Sequence, residues 1–279
     1  MWNDLWMIRK GRENMNLQID YQEVIAAVQA TKPLIMNDER RHQIISKGVG
    51  DYVTQVDLSI QSHLQKLLQE KYPEIQFMGE EQKDAHLDVS KPMWILDPID
   101  GTSNLIFGLE HSAVSLALYD GEQVVFGVIY NPYKEETFHA VRGQGSFLNG
   151  SPIHVQDAKG MSECLISFGT NPYTRVFKKE FLQFLGEILV RCIDLRRFGS
   201  AALDLAYVAC GRSGGFVEQN LKPWDVAAGI LLIKEAGGVV TGLRGQKIVP
   251  TENADILCGA PKVYEELLEL AAGYEISTR

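Results

Sequence analysis

The apolar and polar positions of the chain divide it into two halves with different patterns. In the first half, helical spacing of apolar residues runs from residue 20 to about residue 45, with a break near Pro33, and returns over residues 58–72. Six short apolar runs of strand length follow, at residues 75–78, 93–96, 112–119, 123–130, 136–141 and 146–148. Asp-Gly at 120–121 and Asn-Gly at 149–150 favour tight turns. This half predicts helices and then a largely antiparallel sheet.

The second half alternates strands with helices. The strand-like runs lie at residues 165–168, 192–197, 215–218, 239–241 and 256–258. The helical patterns lie at residues 177–190, 201–209, 223–236 and 262–272. The two patterns predict a mixed α/β (α+β) fold with halves of about 15–150 and 151–279, read here as one domain over residues 1–279. Residues 1–14 lack the apolar core of a signal peptide and are expected to be a loosely ordered extension.

The stretch that carries the strongest chemical signal follows the apolar run at 93–96. Asp97 and Asp100 stand three residues apart, and Pro98 between them fixes φ. Gly101 permits a tight turn, after which come three residues that favour a helix start, Thr102, Ser103 and Asn104. Free backbone N–H groups at a helix start attract anions, and paired carboxylates hold hard cations. The stretch therefore suits chemistry on a phosphate ester, or else it is an ordinary turn in which Asp100 caps the helix.

Further acids are predicted at the ends of other elements. Glu80 follows the strand at 75–78, and Asp225 lies in the first turn of the helix that begins near Pro223. Asp57 is predicted as the N-cap of the helix over 58–72, with a possible second role near metal-bound water. A glycine-containing loop at 47–57, with Lys47 and Asp51, lacks the third glycine of a dinucleotide site. Four carboxylates, Glu80, Asp97, Asp100 and Asp225, make an oxygen-only set that favours Mg²⁺ or Mn²⁺ over Zn²⁺.

Composition narrows the function classes. The formal net charge of −9 over 279 residues argues against nucleic acid or an anionic membrane as a partner, and no apolar run is long enough to cross a bilayer. The four cysteines form no CxxC pair, which favours reduced cysteines in a cytoplasmic protein. No HExxH or GxxxxGK[ST] motif is present. The three-residue separation of Asp97 and Asp100 differs from the two-residue separation of haloacid-dehalogenase nucleophile strands.

At three motifs the sequence resembles the inositol monophosphatase family of magnesium-dependent, lithium-sensitive phosphatases. The matching pieces are Gly79-Glu80-Glu81, the stretch from Asp97 to Asn104, and Trp224-Asp225-Val226-Ala227-Ala228-Gly229, with residues 47–57 as a fourth. Their order and separations fit over nearly the whole chain after about residue 16. The resemblance implies a layered α-β-α-β-α sandwich of the sugar-phosphatase type, two or three metal ions and a homodimer. Ser103 stands where a threonine is common in this motif.

The resemblance also implies roles for individual residues. Glu80, Asp97 and the Ile99 carbonyl would hold a first metal ion. Asp97, Asp100 and Asp225 would hold a second, and Glu80 would face a third near Asp57. The expected phosphate ligands are the N–H groups of Gly101, Thr102 and Ser103. The expected alcohol-binding side comprises Glu218, Ser200, Ala201 and Asp225.

The expected reaction is attack of a metal-activated water on phosphorus, with Glu80, Thr102 and Asp57 moving its proton. Inositol monophosphate or a similar polyol phosphate is the first substrate hypothesis. Fructose-1,6-bisphosphatase, 3′-phosphoadenosine 5′-phosphatase and NADP(H) phosphatase are alternatives on the same scaffold. A non-catalytic metal- or phosphate-binding module is the alternative of a different class. Arg196 and Arg197 are interpreted as solvated surface residues rather than contacts to a second phosphate.

Overall fold

The computed structural model describes residues 5–7, 18–37, 39, 42–48, 51–82, 86–170 and 179–276, and at 5–7, 46–48 and 51 the backbone alone. The helices are α1 (Tyr21–Gln29), α2 (Lys32–Ile35), α3 (Gln55–Lys71), α4 (Thr102–Ile106), α5 (Lys179–Leu189), α6 (Ala201–Ala209), α7 (Pro223–Glu235) and α8 (Pro261–Ala271). The first eight strands are β1 (Leu5–Met7), β2 (Gln18–Asp20), β3 (Ile44–Gly48), β4 (Asp51–Thr54), β5 (Gln76–Gly79), β6 (Met93–Asp100), β7 (Ala113–Tyr119) and β8 (Val124–Asn131). The others are β9 (Glu136–Val141), β10 (Gly145–Leu148), β11 (Ser151–Ile153), β12 (Leu165–Phe168), β13 (Asp194–Arg196), β14 (Gly215–Leu221), β15 (Val239–Thr241) and β16 (Ala254–Gly259).

Two larger sheets organise the chain. The first has seven strands in the order β11-β10-β9-β8-β7-β6-β5, all antiparallel except the parallel pair β5–β6. The second has five strands in the order β13-β12-β14-β16-β15, with β12 parallel to both of its neighbours and the other pairs antiparallel. The largely antiparallel first sheet and the mixed second sheet match the two sequence patterns.

Helices form three layers around these sheets. Helices α1 and α3 cover the outer face of the seven-stranded sheet with a core that includes Trp94 and Leu96. Helices α6 and α7 pack against each other and against the inner faces of both sheets. Helices α5 and α8 cover the outer face of the five-stranded sheet. The predicted α-β-α-β-α sandwich is therefore confirmed.

Strand β6 shows how burial on both faces follows from its sequence. Met93 and Ile95 point into the inner core, whereas Trp94 and Leu96 point into the outer core, because successive side chains of a strand alternate. All eight residues of β6 are buried. The continuous apolar run therefore marks a central strand covered by helices on both sides.

Three local predictions before the central stretch are wrong. The helix expected to reach Ile45 ends earlier, and Ile45 lies in β3. The loop expected at 47–57 contains the antiparallel hairpin β3–β4 and the start of α3. Asp57 is not an N-cap, since Thr54 has that position and Asp57 is the third helical residue of a capping box.

Some predictions about the ends of the chain stay predictions. Leu5–Met7 pairs antiparallel with Gln18–Asp20, and the rest of residues 1–14 lies outside the described residues. The single-domain interpretation also stays a prediction. Within the described ranges, no helix has the length and apolar character needed to cross a membrane.

The contact between β8 and α7 leaves no room for a side chain at Gly127. A Cβ atom at this position would lie 2.9 Å from the Ala228 Cα and 3.0 Å from the Ala228 carbonyl oxygen. Because both are backbone atoms, the helix would have to move to accommodate a methyl group. Gly127 thus sets the distance between the sheet and the helix that carries Asp225.

We expect Gly127→Ala to lower the free energy of unfolding by about 1–3 kcal/mol, because the added methyl group overpacks this contact. The matched control is Gly186→Ala in the middle of α5, where the surroundings within 4 Å are open. That variant should gain about 0.5–1 kcal/mol, since alanine favours a helix interior over glycine. Urea unfolding of both proteins measures the difference. Equal stabilities would contradict the close packing of β8 on α7.

Candidate active site

A β-bulge in β6 brings two carboxylates to the same side of the sheet. Asp97 pairs with Ser115 of β7, and the next pair is Asp100 with Ala113, so three steps along β6 match two along β7. In a regular strand, residues three apart point to opposite faces. Because the bulge adds one residue to β6, Asp97 and Asp100 point to the same face. Oxygens of Asp97, Asp100 and Asp225 accordingly lie within 4.8 Å of one another, and all three residues are buried.

Asp100 is bound by the N-terminus of α6. Its carboxylate accepts hydrogen bonds from the Ser200 hydroxyl, from the Ala202 N–H at 2.8 Å and from the Ala201 N–H at 3.3 Å. The N-cap of α4 is Gly101, without a side-chain hydrogen bond, so the alternative in which Asp100 caps the following helix is wrong. Asp100 instead joins the first sheet to the middle helical layer.

Two glycines hold the turns before α4 and α6 in contact. Gly101 and Gly199 have φ values of 88° and 86°, in the left-handed region that favours glycine. A Cβ on Gly101 would lie 3.0 Å from the Gly199 carbonyl oxygen. Asn104 Nδ2 donates to the carbonyls of Phe198 at 2.8 Å and His111 at 2.7 Å, which fixes the two turns relative to each other.

Asp225 and Glu80 reach the site from other elements. Asp225 is the third residue of α7, and its carboxylate accepts from the Lys222 N–H at 2.8 Å. Glu80 follows β5, and its N–H donates to the Leu96 carbonyl at 3.1 Å. Because β5 and β6 are parallel, their carboxyl ends meet, as the sequence predicted for Glu80 and Asp97.

Asp57 is connected to the cleft through Thr102. Thr102 Oγ1 lies 3.1 Å from Asp57 Oδ1 and 3.0 Å from the Ile99 carbonyl oxygen, and it can donate to one of them at a time. The other oxygen of Asp57 accepts from the N–H and hydroxyl of Thr54 at 2.9 and 2.5 Å. Burial raises the pKa of Asp57 to about 6, against the lowering effect of the Thr54 hydrogen bonds.

The cleft contains most of the predicted site residues and six others. Its lining comprises Tyr52, Glu80, Asp97, Ile99, Asp100, Gly101, Thr102, Ser103, Asn104, Arg197, Gly199, Ser200, Ala201, Asp204, Glu218, Leu221 and Asp225. The Glu218 carboxylate fills the space in front of Gly169, where a Cβ would lie 1.8 Å from it. Within the described residues, Ser200 and Ala201 direct their donors to Asp100. The side chains of Lys47 and Asp51 lie outside what the structure describes.

Sequence reasoning gave no site role to Asp204, Tyr52, Asn104, Gly199 and Leu221, and it favoured surface solvation over contact with a second phosphate for Arg197. Arg197 is exposed, as expected, but it also lines the cleft. Arg196 pairs with Asp194 instead. A signal for Asp204 was available, because it lies four residues after Ser200 and therefore on the same face of α6.

The hydrogen bonds that the carboxylates accept do not offset the burial and the repulsion among their negative charges. Burial, and then the charges of Glu80, Asp100 and Asp225, raise the pKa of Asp97 well above its usual range. Burial raises the pKa of Asp100 to about 6, although the hydrogen bonds from Ser200, Ala202 and Ala201 lower it. Converging oxygen donors without histidine or cysteine fit a hard divalent cation, which would relieve this repulsion.

Comparison with known proteins gives consistent matches. The model of the inositol monophosphatase family matches residues 14–275. Inositol-1-monophosphatase of Rhizobium meliloti (strain 1021) is 39% identical over 228 residues, which are 82% of this chain and 85% of that protein. Nus factor SuhB of Escherichia coli (strain K12) is 35% identical over 262 residues, 94% of this chain and 92% of that one. The solved structure of an IMPase/NADP phosphatase complexed with Mg²⁺ and phosphate has a TM-score of 0.81 and 26% identity, covering 93% of this chain and 98% of its own.

The raised pKa values predict a pH-dependent stability that added Mg²⁺ reverses. Asp57 and Asp100 titrate near pH 6 in the folded protein and near pH 4 when unfolded, so the folded state binds more protons between about pH 4 and 6. Metal-free protein should therefore lose stability from these groups as the pH rises through that window. Added Mg²⁺ should raise Tm more at about pH 7.5 than at about pH 5, because binding requires carboxylates.

Thermal unfolding in a chelator and then in Mg²⁺ measures both effects. The control variant is Asp97→Asn, which keeps an acceptor for the Ile99 N–H at 2.9 Å but removes the charge. It should lose the Mg²⁺-dependent rise in Tm without a loss of metal-free stability. An equal rise in the variant and in the natural protein would contradict the assignment of Asp97 as a metal ligand.

Proposed function

The chain belongs to the inositol monophosphatase family, and we propose that it is a Mg²⁺-dependent phosphomonoesterase acting on inositol monophosphate or a similar polyol phosphate. The observation that carries this proposal is the convergence of Asp97, Asp100 and Asp225 oxygens within 4.8 Å, in a cleft whose other wall contains Glu218. Metal-ligating oxygens and a hydroxyl-binding carboxylate in one cleft suit a phosphate ester of a polyol.

The carboxylates would hold two or three Mg²⁺ ions, with Mn²⁺ as a possible substitute. Glu80, Asp97 and the Ile99 carbonyl form the first ligand set. Asp97, Asp100 and Asp225 would form the second, and Glu80 would face a third position near Asp57. When bound, the ions supply the positive charge that admits a phosphate dianion and that makes water nucleophilic near neutral pH.

Thr102 and Asp57 are suited to receive the proton of the attacking water. When Thr102 donates to Asp57 Oδ1, its oxygen keeps a lone pair that accepts a proton from the cleft. Asp57 itself is fully buried and takes part through Thr102. The pKa of about 6 places Asp57 close to the operating range of a general base. Glu80, half-buried in the cleft, is the second acceptor.

The phosphate and the alcohol of the substrate would bind at different walls of the cleft. The backbone N–H groups of Gly101, Thr102 and Ser103 would bind phosphate oxygens. Glu218, together with Asp225, would bind hydroxyl groups of the alcohol. Ser200 and Ala201 contribute by orienting Asp100, because their donors point to its carboxylate.

A panel of phosphate esters tests the proposed reaction. Phosphate release is measured from inositol monophosphate, fructose 1,6-bisphosphate, 3′-phosphoadenosine 5′-phosphate and NADP, with Mg²⁺ and then with added Li⁺. We expect inositol monophosphate to give the highest kcat/KM and Li⁺ to inhibit its hydrolysis. A higher kcat/KM for another ester would instead assign to this fold the hydrolysis of that ester.

A non-catalytic role is the competing hypothesis of another class. One relative carries the name Nus factor SuhB, so membership of the family does not by itself define a substrate. Mg²⁺ binding without turnover of any ester in the panel would favour a binding module over a phosphatase.

Thr102 provides a prediction on mechanism. Thr102→Ala removes the hydroxyl between the cleft and Asp57, and we expect kcat to fall by about 10²–10⁴-fold with the fold retained. Thr102→Ser keeps the hydroxyl and should retain most of the activity. Similar activity in the two variants would show that this hydroxyl does not move the proton.

Asp225→Asn provides a prediction on metal binding. It should lower kcat/KM about a hundredfold or more, because a metal ligand is lost while the shape of the side chain is kept. Circular dichroism and Tm check that the variant is folded. Activity equal to that of the natural protein would contradict the assignment of Asp225.

The expected assembly and location are also part of the proposal. The protein is expected to be a cytoplasmic homodimer. Large apolar side chains that are exposed in the single chain, among them Phe107 and Val190 at 76%, are compatible with a second subunit. Light scattering at micromolar concentration distinguishes a dimer from a monomer.

A further inference from the structure

Asp204 is a buried carboxyl in the wall of the cleft that no step of the proposed reaction uses. It lies on α6, one turn after Ser200, and is 2% exposed. It nevertheless lines the same cleft as Glu218 and Asp225. Within the described residues, its Oδ1 atom has no hydrogen-bond partner. A buried carboxyl oxygen without a partner is costly, so this atom requires an explanation.

A second unpaired group lies beside it. Ser167, on β12, lowers the pKa of Asp204 through a side-chain hydrogen-bonding interaction, but within the described residues neither its Oγ nor Asp204 Oδ1 makes a hydrogen bond of regular geometry. Burial, and then the charges of Glu218 and Asp100, raise the pKa of Asp204 well above its usual range. Asp204 is therefore close to both the alcohol-binding carboxylate and the metal-binding carboxylates.

The strand register explains why Asp204 and Glu218 share one wall. Ser167 and Gly169 are two residues apart on or just after β12 and therefore point to the same face. Phe216 of β14 pairs with Ser167, so Glu218, two residues further on, reaches the position in front of Gly169. Helix α6 packs against β14 and β16, and the charges of both Glu218 and Asp100 act on Asp204.

We propose that Asp204 is a specificity-determining residue, which hydrogen-bonds a second hydroxyl group of the substrate alcohol beside the hydroxyl that Glu218 binds. This inference rests on the proposed function and narrows its substrate to polyol phosphates with neighbouring hydroxyl groups. A hydroxyl suits the site because it both donates and accepts, and so can pair with a carboxyl in either protonation state.

A purely structural role for Asp204 would leave a different pattern of contacts. Asp255 is also buried, at 4% exposure, but its Oδ1 accepts from the Asn220 N–H at 2.9 Å. Asp57 is buried and accepts from Thr54 and Thr102. Asp204 differs from both, since it lines the cleft and its Oδ1 has no hydrogen-bond partner within the described residues. Asp255 is therefore a suitable control, because it is a buried aspartate that does not face the substrate.

The test compares two substrates of similar ring size, inositol monophosphate and cyclohexyl phosphate, which has no hydroxyl groups on its ring. In Asp204→Ala, we expect the ratio of their kcat/KM values to fall about tenfold, mainly through KM for inositol monophosphate, because one hydrogen bond to the alcohol is lost. Asp204→Asn keeps a donor and an acceptor and should retain the ratio better than the alanine variant. Asp255→Asn should leave the ratio as in the natural protein even if its Tm falls.

The outcomes separate the role of Asp204 from the proposed phosphatase function. An unchanged ratio in Asp204→Ala, or an equal fall in Asp255→Asn, overturns the role of Asp204 while leaving the phosphatase proposal intact. Absence of turnover of both substrates by the natural protein overturns the proposed function and this inference together.

A measurement on the natural protein covers the case in which Asp204→Ala does not fold. Inositol monophosphates that each lack one hydroxyl group are compared for kcat/KM. We expect three separate positions to lower kcat/KM, two for the hydroxyl groups at Glu218 and Asp225 and a third for the hydroxyl at Asp204. Sensitivity at two positions or fewer overturns the inference.

Discussion

Electrostatic repulsion among buried carboxylates is the constraint on which the site depends. Oxygens of Asp97, Asp100 and Asp225 lie within 4.8 Å of one another, and Glu80 adds a further charge that raises the pKa of Asp97. Like charges at this separation in a protein interior oppose each other strongly. Donors at the starts of α6 and α7 bind Asp100 and Asp225, and the Ile99 N–H binds Asp97 within β6.

The layered fold supplies these donors at the required place. The middle layer of helices packs against both sheets, so the N-termini of α6 and α7 reach the carboxyl end of β6. Gly127 lets α7 approach the first sheet closely, and Gly101 and Gly199 let the two turns touch. Apolar packing thus opposes the electrostatic cost of the site, and helix N-termini favour the negative charge that the packing brings there.

Much of the fold and of the carboxylate cluster follows from local patterns in the sequence. Strand and helix periods predicted the two halves, and the acids at element ends predicted the cleft, because the carboxyl ends of neighbouring parallel strands meet. The β3–β4 hairpin was missed, since a short glycine-containing segment has too little periodicity to separate a strand from a loop. Asp57 was placed at the wrong helical position because Thr54 competes for the N-cap.

Other features of the site depend on tertiary contacts that no local pattern contains. Which donors bind Asp100 follows from the docking of α6, about a hundred residues further along the chain. The β-bulge that aligns Asp97 with Asp100 appears only in the pairing with β7. The role proposed for Asp204 depends on a buried oxygen that has no hydrogen-bond partner within the described residues, which a sequence cannot reveal.

The separation of the ligands along the chain has a consequence for synthesis and folding. Asp97 and Asp100 are in the first half, whereas Asp225 arrives with α7, after both strands β12 and β13. A growing chain that has completed only its first sheet lacks the third carboxylate and the donors that fix Asp100. The proposed second ligand set would therefore be complete only after the second half has docked, and a divalent ion bound there would stabilise the finished fold, whereas the proposed first set, Glu80, Asp97 and the Ile99 carbonyl, lies in the first half alone.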